Sequence, residues 1–150
     1  MNEQPKNYTT ERGDKFWYLP SKGKGHYHRL DGPAIEHKNG SKWWYVDSKL
    51  HRLDGPAVEE VDGTKEWWVD GNRHRLDGPA IEYKSGTKLW YVDDRRHRLD
   101  GPAVERADGI KYWFVDGKKL PTEEVESWIE ENNVDLSTNA GQVAFKLRWI

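Results

Sequence analysis

The sequence predicts a mainly β fold: an elongated stack of antiparallel β-hairpins, closed at its C-terminal end by a short helical cap. The heptad His-Arg-Leu-Asp-Gly-Pro-Ala occurs four times unchanged, and a Gly-x-Lys-x-Trp element keeps the same 23-residue period. Nine Trp, seven Tyr and three Phe offer core material in an otherwise polar chain of 150 residues with mean hydropathy −1.06. The heptad copies are 28–34, 51–57, 74–80 and 97–103.

The repeats divide the chain into three predicted parts. Residues 1–12 form a polar N-terminal arm, and residues 13–118 form the repeat array. The array consists of four full repeats preceded by an N-terminal half repeat that contains Trp17. Residues 119–150 form a helical segment that covers the last repeat, because a stacked sheet must end in something that hides its edge.

Each full repeat is predicted to be a β-hairpin. In the first, an extended segment from Pro33 leads into Asn39-Gly40, a pair typical of a type I′ turn. Residues 42–46 form the return strand. A second turn at Asp47-Ser48 then leads into the next heptad.

Strand alternation assigns the aromatic residues to two faces. Trp44 and Val46 share one face, which we expect to be the stacked core. Tyr45 lies on the other face with the variable position of Trp43, and this second face is the better candidate for a partner surface. The predicted core rings are Trp17, Trp44, Trp67, Trp90 and Trp113; the second face carries Tyr18, Tyr45, Trp68, Tyr91 and Phe114.

The C-terminal segment begins with a helix signal. Thr122 is a candidate N-cap, followed by carboxylates in the first turn and apolar residues on one side up to Glu131. Residues 142–150 fit either a strand or a second helix. We favour a helix, with Ser137 as a candidate cap.

Composition excludes several classes of function. The chain has no cysteine, so disulfides, thiolate nucleophiles and cysteine-bound zinc are excluded. A net charge of −2 argues against general DNA or RNA binding. We expect no membrane association and a cytoplasmic location, since the sequence has no apolar run of about 20 residues and starts with a polar segment.

The row of His-Arg pairs permits two interpretations. Guanidinium and imidazole donors next to aromatic rings suit a nucleotide, whose phosphate and base they could bind. Alternatively each Arg is structural and pairs with an acidic residue of its own or the next repeat, for which the recurring Asp31 and Glu36 positions are candidates. The candidate ligand-binding residues are Trp43, Trp68 and Tyr91 for stacking and Arg52, His74, Arg75 and Arg98 for phosphate.

Catalysis has little support in the sequence. No phosphate-binding loop, dinucleotide fingerprint or nucleophile elbow is present. Four identical His-Arg pairs also differ from the single unique arrangement that an enzyme needs. His26 and His28 share a strand face, but a third metal ligand would have to come from elsewhere, so we expect no enzyme, cofactor or metal.

The repeat array resembles the MORN repeat family. The resemblance rests on Asp70-Gly71-Asn72-Arg73-His74 and on the recurring Asp-Gly-x-Lys-x-Trp element, and it covers residues 13–118. The heptad departs from the Gly-x-Gly usual in that family. The variant with His-Arg-Leu-Asp-Gly-Pro-Ala units is similar to small tailed-phage proteins. The resemblance implies a single-layer hairpin stack that serves as a binding or scaffold module and forms homo-oligomers.

These observations predict a non-enzymatic binding protein. The first hypothesis is a phage-encoded protein that sequesters a nucleotide-derived host defence signal in an aromatic, Arg/His-lined cleft completed by a second copy. The alternative is a protein–protein interaction or scaffold module that binds a host protein through its aromatic face.

Overall fold

The computed structural model describes residues 3–150, and its fold is the predicted one: antiparallel hairpins in a stack, followed by two short helices. A single 3-10 turn, Pro20–Lys22, lies between the half repeat and the first full repeat. The strands are β1 (Lys6–Thr9), β2 (Lys15–Tyr18), β3 (Ile35–Glu36), β4 (Lys42–Trp43), β5 (Tyr45–Val46), β6 (Lys49–Leu50), β7 (Val58–Glu59), β8 (Lys65–Glu66), β9 (Trp68–Val69), β10 (Asn72–Arg73), β11 (Ile81–Glu82), β12 (Lys88–Leu89), β13 (Tyr91–Val92), β14 (Arg95–Arg96), β15 (Val104–Glu105), β16 (Lys111–Tyr112), β17 (Phe114–Val115) and β18 (Lys118–Lys119).

Ten of these strands form one long antiparallel sheet, in the order β1-β2-β3-β4-β7-β8-β11-β12-β15-β16. Each full repeat contributes two neighbouring strands, so successive repeats lie about 9.6 Å apart along the stack. One cross-strand row alternates in charge: Glu36 is opposite Lys42, and Lys42 is opposite Glu59. This alternation continues along the sheet and places unlike charges side by side, which favours the observed register.

The remaining eight strands form four separate two-stranded hairpins, because each return strand is interrupted at a tryptophan. In the first repeat, Trp44 lies between β4 and β5. Its N–H donates to the carbonyl of Ala57 at 2.7 Å, and its own carbonyl accepts from the N–H of His51 at 3.0 Å. The chain therefore leaves the long sheet at Trp44 and continues as the hairpin β5–β6.

The first turn of each repeat differs from the prediction in type. The turn after β3 has only Gly40 at positive φ (+100°), and His37 N–H donates to the Ser41 carbonyl. It is a bulged three-residue connection, not the type I′ turn predicted for Asn39-Gly40, which requires two residues at positive φ. The type I′ geometry occurs in the second turn, where Asp47 and Ser48 have φ +48° and +61°.

Short side chains tie neighbouring repeats together at the first turn. The hydroxyl of Ser41, which is buried, accepts the backbone N–H of Val61 in the next repeat at 3.0 Å. Thr64 and Thr87 make the same bond to residues 20 positions later, Lys84 and Ala107. A backbone N–H of the following repeat is thereby satisfied at each junction.

The core of the array differs from the predicted row of tryptophans. The most buried positions are the heptad Ala and the Ile or Val after it, and Tyr91 packs on Ala80 and Ile81. Trp17, Trp44, Trp67 and Trp90 are only half-buried, and Trp113 alone is buried. The prediction was wrong for those four because, of the five rings, only Trp113 packs in the buried cluster made with the C-terminal cap. In the full repeats the strand is also interrupted at the tryptophan, so the alternation of faces does not continue through it.

The predicted N-terminal arm contributes one strand to the sheet. Residues 6–9 form β1, which pairs along its length with β2. The sheet therefore begins before the predicted boundary at residue 13. Residues 1 and 2, also assigned to the arm, lie outside the described residues.

The C-terminal cap consists of α1 (Thr122–Glu131) and α2 (Asn139–Trp149), so the helix alternative for residues 142–149 is confirmed. The predicted caps are each one residue from the observed ones, Pro121 and Thr138. The hydroxyl of Thr138 accepts the N–H of Gly141 at 3.0 Å. The helices close the stack through a buried cluster made of Trp113, Val115, Leu120, Val125, Leu136 and Phe145.

Candidate binding grooves

Four similar grooves run in a row along the stack, one for each half-buried tryptophan. In three of them, the heptad loops of successive repeats form the two walls, and a Trp and a Val form the floor. Residues 3–5 replace one loop in the N-terminal groove. We number them by their floor residues as groove 1 (Trp17, Leu19), groove 2 (Trp44, Val46), groove 3 (Trp67, Val69) and groove 4 (Trp90, Val92), with volumes of about 620, 660, 620 and 550 Å³.

Each heptad arginine is held by its own repeat. In the second copy, Arg52 Nε donates to Asp54 at 2.8 Å, and Nη1 donates to the Pro56 carbonyl at 3.1 Å and to Glu59 at 2.9 Å. The guanidinium also lies over the ring of Trp44. The same set of bonds recurs for Arg29, Arg75 and Arg98.

These bonds confirm the ion pairs expected from the structural interpretation of the His-Arg row. They also leave the groove walls with an excess of negative charge, because each guanidinium faces one Asp and one Glu. The hydrogen bond from the guanidinium lowers the pKa of the Asp carboxyl in the first three copies, namely Asp31, Asp54 and Asp77. Within residues 3–150, Nη2 of the four arginines makes no hydrogen bond, so two N–H groups of each remain available.

The heptad histidines connect each repeat to the following one. His51 Nδ1 lies 3.1 Å from the backbone N of Asp70 and 2.9 Å from its carboxylate. His74 makes the equivalent contacts with Asp93. Each imidazole thus faces the type I′ turn of the next repeat and forms part of a groove wall.

The seven predicted ligand-binding residues fall into two groups. Arg52, His74, Arg75 and Arg98 line the grooves. The predicted stacking rings, Trp43, Trp68 and Tyr91, line none of grooves 1–4.

Hydrogen bonds and burial explain why these three rings do not line a groove. The indole N–H of Trp43 donates to Glu60, and that of Trp68 donates to Glu66. Tyr91 is 6% exposed and accepts a hydrogen bond from Arg96. In the groove row, the half-buried rings next to the arginines are instead Trp44, Trp67 and Trp90.

Sequence reasoning missed the heptad leucine. Leu30, Leu53 and Leu76 are 77%, 80% and 81% exposed and form ridges between adjacent grooves. The sequence did contain a signal for this role, because the same apolar residue recurs without change inside each heptad turn. A regular row of exposed leucines beside open tryptophans is typical of an interaction surface.

The described part of the chain contains no group of three or more His, Asp or Glu side chains placed to hold a metal. His26 and His28 both face the carboxylate of Asp47, at 3.5 and 3.3 Å. Neither α1 nor α2 has the length and apolar character needed to cross a membrane. No protein-family model and no curated protein matches the chain.

Proposed function

We propose that the chain is a non-enzymatic binding module that binds a protein partner through grooves 1–4. The observation that carries this proposal is the recurrence of one groove four times, about 9.6 Å apart, with exposed leucines as ridges. An extended macromolecule can occupy several identical sites at once and gain affinity from each. A catalytic centre, in contrast, needs one unique arrangement.

The charges in the grooves favour a protein over an anionic small molecule. The guanidinium of Arg52 already pairs with Asp54 and Glu59, so one positive group faces two negative ones. A phosphate would have to displace these carboxylates or lie next to them, and like charges at short distance are unfavourable. Apolar contact with Trp44, Val46 and the leucine ridges has no such cost.

A nucleotide-derived ligand remains the second candidate, because Nη2 of each heptad arginine is uncommitted and lies beside a half-buried indole. A base stacked on such a ring would gain about 1–3 kcal/mol. In this case the protein would be a phage-encoded sponge acting in the host cytoplasm, with a second copy completing the cleft.

Two triple variants test the proposal. Leu30→Asp/Leu53→Asp/Leu76→Asp changes the groove ridges, while Val61→Asp/Tyr83→Asp/Ile110→Asp changes three other exposed apolar positions, at the first turns. Circular dichroism checks that both variants fold. Each immobilised protein is incubated with host extract, washed and heat-denatured, and the released proteins and nucleotides are identified by mass spectrometry.

We expect the wild type and the turn variant to retain one protein that the groove variant loses. Retention of an intact nucleotide instead, again lost only in the groove variant, would favour the second candidate. Identical retention by all three proteins, or retention of nothing, would contradict the use of the grooves.

A further inference from the structure

The groove row has a fifth position, and the chain's own cap occupies it. Trp113 and Val115 stand where Trp44 and Val46 stand in groove 2, yet each is only 4% exposed. Phe145 of α2 is fully buried there, with its ring centroid 5.6 Å from that of Trp113. The molecule therefore shows one example of what this kind of groove can bind: an aromatic side chain carried by a helix.

The leucine ridge is covered at this fifth position as well. Leu99, the heptad leucine between groove 4 and Trp113, packs against the cap cluster, whereas the other three heptad leucines are exposed. Gln142 of α2 also lines groove 4. The cap is thus continuous with the row of open grooves. Its Phe145 covers Trp113, whereas the equivalent tryptophans of grooves 1–4 are only half-buried.

One local difference distinguishes the fifth position, where the chain continues directly into the cap, from grooves 1–4. The N–H of Leu120 donates to the carbonyl of Trp113 at 2.9 Å, as the N–H of His51 does to that of Trp44. Leu120 and Pro121 therefore replace the His-Arg pair. Within the described part of the chain no heptad guanidinium lies over Trp113, so α2 packs directly on that ring, while grooves 1–4 each keep a polar wall with an arginine over the tryptophan.

The charge of α2 indicates which helices suit the open grooves. Its sequence, NAGQVAFKLRW, contains no acidic residue, and Lys146 and Arg148 are exposed. The groove rims carry exposed carboxylates in every repeat, including Asp31, Asp54 and Asp77. A helix with the chemistry of α2 is therefore complementary to the rims in charge, and it carries the kind of aromatic side chain that packs on Trp113.

We infer that grooves 1–4 bind a short basic helix with an aromatic anchor, contributed by another molecule. This inference rests on the proposed function and specifies the partner. Seven residues of α-helix span about 10.5 Å, close to the 9.6 Å between grooves, so side chains at i and i+7 reach neighbouring grooves. The partner helix then lies along the stack, with its basic residues toward the aspartate rims.

A fluorescently labelled peptide of residues 134–150 is the probe, added to the full-length protein and followed by fluorescence anisotropy. We expect saturable binding that weakens at least about tenfold when the peptide carries Phe145→Ala, as for an anchor residue at an interface centre. The protein variant Leu53→Asp/Leu76→Asp should weaken it similarly. Tyr83→Asp/Ile110→Asp serves as the matched control and should bind like the wild type.

The protein variants separate the open grooves from the fifth position. If the peptide binds the Leu53→Asp/Leu76→Asp variant as tightly as the wild type, it has displaced the protein's own α2 from the fifth position. This result would overturn the inference. Absence of binding would also overturn it. If the groove variant loses a retained protein in the extract experiment while the peptide does not bind, the proposed function stands and the helical partner alone is wrong.

Discussion

The guanidinium of Arg52 lies over the indole of Trp44, with 4.1 Å between the guanidinium carbon and the ring centroid. A Cβ placed on Gly55 would lie 3.0 Å from the same carbon, so the loop needs glycine there. The heptad therefore encodes the surroundings of one arginine: an Asp and a Pro carbonyl accept its hydrogen bonds, and a Gly leaves it room. The relationship recurs at Arg29 and Trp17, Arg75 and Trp67, and Arg98 and Trp90.

Replacing this arginine by lysine should destabilise the stack. A lysine ammonium keeps the charge but cannot reproduce the planar fork that bonds Asp54, Pro56 and Glu59 together. For Arg52→Lys we expect a loss of about 1–3 kcal/mol in the free energy of unfolding, measured by urea denaturation. Arg95→Lys, at an exposed position in β14, is the control. Equal losses in the two variants would contradict a specific role for the fork.

The arginine–aspartate pairs also predict acid sensitivity. The Arg52 and Arg75 hydrogen bonds hold the pKa of Asp54 and Asp77 below the usual Asp range. A carboxyl whose pKa is lower in the folded than in the unfolded state adds stability above its unfolded pKa, about 3.9. That stability is lost as the pH falls through the lower folded value.

The measurement is the urea midpoint as a function of pH. We expect it to fall below about pH 4 in the wild type and to fall less steeply in Asp54→Asn/Asp77→Asn. Glu130→Gln/Glu131→Gln, on exposed positions of α1, controls for removal of two negative charges. If the urea midpoints of the wild type and the Asn variant fall equally steeply at acid pH, these pairs do not contribute to the pH dependence of stability.

The hairpin stack could be predicted from the sequence because its signals are local and repeated. The glycine turns and the 23-residue period define hairpins whatever their surroundings. The burial of individual rings could not be predicted, because it depends on the break in the ladder at Trp44. Tryptophan is a residue that favours strands, so its presence does not predict the break. The hydrogen bond from Trp44 to Ala57 joins two different repeats.

The candidate site could be predicted only in part, for a related reason. Spacing shows that Arg52 can reach Asp54 and Glu59, and it does. Spacing does not show that successive heptad loops become the two walls of one groove, because this depends on how the repeats stack. Leu53 therefore looked like part of a turn, although in the structure it is the exposed ridge between two grooves.

The type I′ turns predict a stabilising substitution. Ser48 has φ +61°, whereas the equivalent positions of two other repeats are Gly71 and Gly117, at +82° and +81°. Glycine adopts positive φ without the strain that Ser48 has, and this should outweigh the added freedom of glycine in the unfolded chain. Ser48→Gly should therefore raise the free energy of unfolding by about 0.5–1 kcal/mol. Thermal unfolding measures the gain.

Asp94 provides the matched contrast to Ser48, since it occupies the same turn position at φ +62°. Its carboxylate accepts a hydrogen bond from Arg73, so Asp94→Gly removes an ion pair together with the strain. We expect Asp94→Gly to gain less than Ser48→Gly or to lose stability. A larger gain at Asp94 would show that the ion pair is of no importance.

The cap should depend on Phe145 far more than on its neighbours in α2. Phe145 is fully buried against Trp113 and Trp128, and its truncation leaves a cavity with no side chain able to fill it. For Phe145→Ala we expect a loss of about 3–5 kcal/mol, together with a change in the emission of Trp113. Leu147→Ala is the control, because Leu147 is 86% exposed and its truncation should change stability by no more than about 0.5 kcal/mol. If the two variants unfold at the same temperature, α2 does not close the stack through Phe145, and the fifth groove position is not a site where a helix is bound.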